Sequence, residues 1–395
     1  MSSADVVVIG GGIIGCACAL HLARALPDAR IVVVDRGAIA GATSGSCMGH
    51  LMVTPADDEH YRLTSASVRM WRELHDEYRD LGSFDYNPTG ALYLADGDED
   101  LPLLGELQRQ FAARGDEASV LDPRQLRALE PGLADDLPGA LFYPGDGVVL
   151  PMTACTAMLR LAMRANPRVE VRPGQAVTAV ERAGDRVVAV GTAAGRIATA
   201  HAVLACGVWT PAVAALAGLP VLPIVPRAGN LAITAHHASP IRTQLLEVAY
   251  LRVAHGASQA DPHRTDVDTG AHAVNMQPQS HGGCLIGSTR QFRGMDRTLN
   301  RELLHRSLSR AARYAPQLRD LPIVRTWVGL RPYPIDGTPW IGPWPELQGL
   351  WLATGHEGLG ISLSMITGHL IARQLAGGDC EVDPAPYLPR PARCA

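Results

Sequence analysis

Gly10-Gly11-Gly12-Ile13-Ile14-Gly15 has the spacing, G-x-G-x-x-G, that can cradle a pyrophosphate. Glycine at the first position permits a tight turn, and at the second it lets the backbone approach the phosphates. At the third it lets the following helix pack on the strand. A helix starting there offers N–H groups and a positive dipole end to the phosphates. Asp35 lies about 20 residues beyond the last glycine, where a carboxylate can accept hydrogen bonds from an adenosine ribose. A second stretch, Arg36 through His50, contains Gly41-Ala42-Thr43-Ser44-Gly45-Ser46 and is too rich in glycine and small hydroxyls to form a core. It suits a backbone that follows a ligand closely and donates hydrogen bonds to it. These features together point to dinucleotide binding.

The flanking residues supply the elements that must hold this site. Val6-Val7-Val8-Ile9 leads into the glycines, an alanine-rich apolar helix follows, and Ile31 to Val34 forms a second β-branched run ending on Asp35. The order is strand, glycine turn, helix, strand. With 395 residues the chain exceeds what one core usually holds, so two domains are expected. Residues 57 to 81 carry Leu63, Val68, Trp71, Leu74 and Tyr78 at helical spacing. From Asn87 the texture changes to short strands such as Thr89 to Leu94, then a helix pair over 100 to 131 that restarts at Asp122-Pro123. A helix at about 152 to 165 precedes a strand and a small meander between Val169 and Ala205. Leu204-Ala205-Cys206-Gly207-Val208-Trp209 is an apolar strand meeting a glycine turn, the profile of a sheet end near a ligand. Residues 221 to 294 form a second β-rich block with a polar insert at 254 to 270, closed by a helix at about 298 to 313. The strand Leu350 to Ala353 then runs into Thr354-Gly355-His356-Glu357-Gly358-Leu359-Gly360 and a last helix, and the proline-rich tail 379 to 395 reads as extended.

A net charge of -4 gives no basic footprint and argues against nucleic acid as a partner. No signal pattern precedes the first strand and no apolar run reaches a membrane span, so a cytoplasmic chain without a transmembrane segment is expected. The eight cysteines are scattered without a C-x-x-C pair, so no metal site is expected. All 35 basic residues are arginine. The absence of lysine excludes Schiff bases, lysine general bases and P-loop phosphate clamps.

The ordered set GGGIIG with its acid, GATSGS, LACGVW, LIGSTRQF, WVGLRPYPIDGTPWIG and ATGHEGLGIS resembles the FAD-dependent D-amino-acid oxidase–like oxidoreductases. The phrases PRAGNLAIT, QLLEVAYL and GHEGLG are most similar to D-hydroxyproline dehydrogenase–type and hydrogen cyanide synthase–type subunits. The resemblance implies an α/β protein with a discontinuous Rossmann-like FAD-binding domain over 1–84, 137–214 and 325–395. An α+β substrate domain with a mainly antiparallel sheet would take 85–136 and 215–324.

It also implies roles for individual residues. Arg331 of Gly329-Leu330-Arg331-Pro332 would lie over the flavin and pair with a substrate carboxylate, which a guanidinium fork can grip bidentately. His50 would flank the flavin and face the substrate. Gly10, Gly12, Ile14, Gly15, Asp35, Arg36, Thr43, Ser44, Ala205 and Gly207 would contact the cofactor, with Val177 meeting the adenine through its backbone. Gly355, His356, Gly358, Leu359 and Gly360 would aim N–H groups at the pyrimidine end of the flavin, where a helix dipole stabilises negative charge. The tyrosine that touches the carboxylate in glycine oxidase and D-amino acid oxidase is replaced by Asn275, with Tyr250 as its possible substitute. No cysteine stands in Trp327-Val328-Gly329-Leu330 for a covalent flavin link, and no lysine exists to activate oxygen in the sarcosine oxidase manner. The implied activity is oxidation of the C–N bond of an amino or imino acid, with hydride transfer to non-covalent FAD and an acceptor other than oxygen, such as a partner subunit. Two alternatives stand beside it: a glycine/sarcosine-type oxidase or tailoring flavoenzyme on a bulkier amine, and a non-catalytic flavin-bearing electron-transfer subunit.

Overall fold

The computed structural model describes residues 2–55, 57–237, 239–248, 274–280 and 282–391, so the insert 254–270 and Tyr250 lie outside the described residues. Val6–Ile9 is β-branched throughout and buried throughout. Such a strand needs cover on both faces. It sits inside a six-stranded sheet in the order Trp340–Pro343, Leu350–Thr354, His201–Leu204, Val6–Ile9, Ile31–Val34, Val169–Arg172. Neighbours are parallel except the first pair, which is antiparallel. Alternate side chains serve opposite cores, as strand geometry requires. Val6 and Val8 face the helices Ile13–Ala25, Pro151–Ala165 and Ser364–Ala376, while Val7 and Ile9 face Val180, Val190 and Ile197 of a smaller sheet. That smaller sheet is the expected meander, Val177–Ala183, Arg186–Thr192 and Gly195–Ala198, with Ser2–Ser3 added in parallel at its edge.

The second body is an eight-stranded sheet in the order Ile323–Pro334, Ile224–Thr234, Cys284–Gly287, Asn275–Pro278, Gln244–Glu247, Ala91–Leu94, Ala140–Tyr143, Ser119–Leu121. It is antiparallel apart from the pair Gln244–Glu247 and Ala91–Leu94. This bears out the expected mainly antiparallel sheet. Ala140–Tyr143 and Ile323–Pro334 both run in it, so the sheet takes chain from beyond the expected boundaries at 137 and 325. The reason is pairing: Ile323–Pro334 is bound along its whole length to Ile224–Thr234, from Ile224 opposite Pro334 to Thr234 opposite Ile323.

The helix Asp58–Tyr78 starts at Asp57, whose carboxylate accepts the His60 N–H at 2.8 Å, and Asp122 forms a capping box with Gln125 at the helix Pro123–Leu129. The tail departs from the extended expectation. It makes a short turn at Ala385–Tyr387, and the buried Tyr387 hydroxyl donates to the Glu59 carbonyl at 3.0 Å. Among the described residues no helix is long and apolar enough to cross a membrane, and no group of three or more His, Cys, Asp or Glu side chains could hold a metal.

The first and last helices touch backbone to backbone. A Cβ placed on Gly368 would lie 2.5 Å from the Ala17 carbonyl and 2.9 Å from the Cys18 nitrogen. Neither is a flexible side-chain end, so one methyl group must push the helices apart. Gly368→Ala is expected to lower stability by about 1–3 kcal/mol, the usual cost of overpacking. Chemical denaturation measures it, and an unchanged midpoint would mean the two helices yield freely.

Candidate active site

One cavity of about 850 Å³ runs along the C-terminal ends of the parallel strands and reaches the large sheet. Ligands of open α/β sheets bind in just such a crevice, beyond the carboxyl ends of the strands. At its first end Gly10 takes φ +111°, and a Cβ there would fall 2.4 Å from the Ala205 carbonyl. Only glycine lets these two strand ends meet so closely. Gly15 stands behind the cavity wall, where an added Cβ would strike the Gly10 carbonyl at 1.8 Å, and this seats the helix on the strand. Gly10, Gly12 and Ile14 line the cavity itself.

Several predicted contacts turn out to be engaged with the protein's own backbone. Ser44 is buried and its Oγ accepts the Ile13 N–H at 2.9 Å, while Thr43 Oγ1 donates to the Leu330 carbonyl at 2.9 Å. Asp35 accepts the N–H groups of Gly11 at 2.8 Å and Gly37 at 2.7 Å. Its carboxylate therefore shapes the glycine turn whatever else it binds. Arg36 lies over the Trp209 ring at 4.0 Å, and Val177, Ala205 and Gly207 complete this end.

The cavity suits a long, flat dinucleotide. A Cβ on Gly207 would meet nothing closer than Thr43 Oγ1 at 4.0 Å, and one on Gly358 nothing closer than Arg331 Cδ at 3.9 Å. Bare backbone thus faces open space at both ends. The N–H groups of the first turn of Ile13–Ala25 have no intrahelical acceptors of their own, and the Gly355–Gly360 turn borders the far end.

At that far end Arg331, on Ile323–Pro334, lays its guanidinium across Gly229 of the paired strand. A Cβ on Gly229 would be 2.6 Å from Nη1, which donates to the Thr289 carbonyl at 3.1 Å. Arg227 sits directly opposite Arg331 in the register and is buried. Its Nη1 is 3.3 Å from Glu357 Oε1, and Arg290 Nε is 3.8 Å from the same oxygen. Burial alone would push the Glu357 carboxyl up, but Arg290, Arg331 and Arg227 outweigh it and hold the group below the ordinary carboxylate value. Glu357 also takes φ +45°, a conformation that costs a side-chain-bearing residue about 1–2 kcal/mol.

Two histidines here are neutral at physiological pH. Burial, then the charge of Arg331, lowers His50 to about 4. Its Nε2 is buried with no hydrogen-bond partner among the described residues, and so is Asn275 Oδ1; both residues line the cavity. Burial lowers the buried His356 to about 3, and its Nε2 lies 2.9 Å from Thr367 Oγ1. His356 is thus a fixture of the turn, and Leu359 and Gly360 line the cavity beside it. The structure gathers the named residues around one cavity, apart from Gly15 behind it and Tyr250 outside the described residues.

Sequence reading passed over Arg227, Arg290, Glu357 and Trp209, all of which line the cavity. Trp209 could have been found, because it closes the LACGVW phrase. Arg227 stands in the phrase PRAGN, and only strand pairing sets it opposite Arg331; Arg290, in GSTRQF, enters the site through Glu357, 3.8 Å away.

The profile of the FAD dependent oxidoreductase family (DAO) matches residues 5–374, and the chain belongs to that family. FAD is its cofactor, and the cavity fits it. Among its relatives is a glycine oxidase of Pseudomonas aeruginosa, 30% identical over 395 residues, covering 98% of this chain and 99% of that protein. Another is hydrogen cyanide synthase subunit HcnC of the same organism, 28% identical over 435 residues, covering 99% of this chain and 98% of that one. The glycine oxidase structure from Geobacillus kaustophilus superposes with a TM-score of 0.84 at 25% identity, covering 98% of each chain.

The neutral His356 sets a pH dependence. Its folded-state value of about 3 lies below the 6.5 of a free imidazole. Between those values the unfolded chain takes up a proton that the folded chain refuses, so its contribution is lost as pH falls through that window. The slope is roughly 1.4 kcal/mol per pH unit. His356→Gln removes this term. Urea titrations from about pH 7.5 to about pH 4.5 should show wild type losing its lead over the variant as pH falls; parallel curves would contradict a neutral His356.

Proposed function

We propose that this protein oxidises the C–N bond of an amino or imino acid and is a dehydrogenase in preference to an oxidase. The observation that carries the reading is Arg331, whose guanidinium is braced by Gly229 and the Thr289 carbonyl at the cavity wall. A carboxylate paired with it is fixed in orientation, and the α-carbon with it. When bound, FAD supplies the acceptor for the hydride that leaves the substrate carbon. The chain's own part is positioning. Neutral His50 Nε2 and Asn275 Oδ1 offer polar contacts to the amine side, and Glu357 is tied to arginines and so does not serve as a free base. This fits a transfer that needs no strong side-chain base, because a neutral amine carries its own lone pair.

The names of the relatives support an amino-acid substrate, since glycine oxidase acts on glycine. A D-amino acid or a D-hydroxyproline-like cyclic imino acid suits the replacement of tyrosine by Asn275 better than glycine itself. With no lysine in the chain and no cysteine in Trp327-Val328-Gly329-Leu330, FAD is held without a covalent link of the sarcosine oxidase kind. The absent lysine also favours an acceptor other than oxygen, and the relative HcnC is a subunit of a larger enzyme, which supports a partner protein in that role.

The test is anaerobic bleaching of the flavin by a panel of D-, L-, N-methyl and cyclic amino acids. Wild type should bleach with at least one. Arg331→Ala should slow that bleaching about a hundredfold or more while keeping FAD. Gly229→Ala, whose methyl group would displace the guanidinium, should raise the substrate concentration needed. Full activity in Arg331→Ala would sink the reading, and prompt reoxidation by air would turn the dehydrogenase into an oxidase.

A further inference from the structure

Three carboxamide side chains share one face of the large sheet, and their polar atoms are unmatched. Asn275, Gln277 and Gln244 are 4%, 3% and 0% exposed. Asn275 Oδ1, Gln277 Oε1 and both amide atoms of Gln244 are buried with no hydrogen-bond partner among the described residues. Asn275 and Gln277 are two apart on the strand Asn275–Pro278 and so point to the same side, while Met276 between them joins the opposite core with Leu245 and Ile286. The pairs Leu246–Asn275 and Leu245–Met276 continue to Gln244 opposite Gln277. The two glutamines are therefore cross-strand neighbours, yet neither bonds the other.

This recess adjoins the cavity beside Met48. Asn275 and Met48 both line the cavity. Met48 packs with Leu285, the register partner of Gln277, and its Sδ lies 3.0 Å from where a Cβ on Gly287 would stand, opposite Asn275. A methionine side chain is unbranched and repacks readily, so this wall can yield. The other register partner of Gln244 is Ala91, and Glu247 with its partner Arg310 belongs to the opposite face, beside Leu245. The neighbours of the two glutamines across the strands are thus uncharged.

The unmatched atoms define what fits. Gln244 Oε1 and Gln277 Oε1 each require a donor, and Gln244 Nε2 requires an acceptor. A primary carboxamide carries this set, two N–H donors on one nitrogen and a carbonyl oxygen. A hydroxyl has one donor, a carboxylate none, and an ammonium no acceptor. An apolar end would leave the buried amides unpaired, and a charged one would lose its hydration without a counter-charge. The step from Asn275 to Gln277 is about 7 Å, which an arm of about two or three carbons spans. We propose that the substrate's side chain ends in a primary carboxamide held between Gln244 and Gln277. This rests on the amine-oxidation reading above for the chemistry at the α-carbon, whereas the preference of the recess follows from the glutamines themselves.

The experiment measures binding to the FAD-loaded protein by calorimetry, with three ligands that contain no amine. 4-Carbamoylbutanoate carries a carboxylate and a primary carboxamide; 5-methylhexanoate replaces the carboxamide by an isosteric apolar end, and glutarate by a second carboxylate. 4-Carbamoylbutanoate should bind at least about tenfold more tightly than either. In Gln244→Leu and in Gln277→Leu its lead over 5-methylhexanoate should fall below about threefold. Equal affinities in wild type, tighter binding of either comparison ligand, no measurable binding of 4-carbamoylbutanoate, or an undiminished lead in Gln244→Leu overturns the proposal. The wild-type comparison decides even where a variant fails to fold. A carboxamide preference without flavin bleaching by any amino acid would leave this recess standing and remove the oxidation reading instead.

Discussion

The antiparallel pairing of Ile224–Thr234 with Ile323–Pro334 is the constraint on which the site depends. It places Arg227 opposite Arg331 and Gly229 opposite Gly329, so a guanidinium can lie across a bare backbone. The same strand then turns at Ile335 to Gly337 and re-enters the six-stranded sheet as Trp340–Pro343. One continuous piece of chain therefore carries Arg331 and joins the six-stranded sheet. Thr43 and Trp327 fasten the small-residue loop to it, through the Leu330 carbonyl at 2.9 Å and the Ser46 carbonyl at 3.1 Å. Arg331, the loop and the sheet cannot shift independently.

Electrostatics then divides the cavity into two regimes. At the glycine turn, backbone N–H groups face a carboxylate, and the Asp35 contacts fix the turn's shape. At the other end Arg227, Arg290 and Arg331 hold the Glu357 carboxylate in its charged form, and Glu357 takes a left-handed conformation beside them. The strain at Glu357 is modest beside the several kcal/mol at stake when a buried charge loses its partner. His50 and His356 are neutral over the physiological range, so neither adds charge to this end of the cavity.

Much of this was legible in the sequence, and the parts that were not share a cause. The first βαβ unit could be read because its signals are local: four β-branched residues, three glycines at fixed spacing and an acid. Arg331 was legible through its motif. Arg227, Arg290 and Glu357 were not, because they meet through pairing of segments far apart in the chain, and no local period reports that. The same holds for the large sheet: Ala140–Tyr143 and Ile323–Pro334 look like ordinary strands, and only their partners assign them to it. The tail read as extended because prolines dominate it, whereas the burial of Tyr387 against the helix Asp58–Tyr78 depends on a distant surface.

The contact between Gly368 and Ala17 bears on how the chain is made. The helix Ile13–Ala25 leaves the ribosome well before Ser364–Ala376, on which it packs, and the strand Val6–Ile9 takes its neighbour from His201–Leu204. The nascent chain must carry an apolar, incompletely covered unit until Ser364–Ala376 has been made. Contacts of such long sequence separation fold slowly, and their exposed precursors aggregate. The glycine turn, though made early, is thus late to become rigid, and a ribosome that stalls before Ser364–Ala376 releases a chain that holds the motif without the pocket.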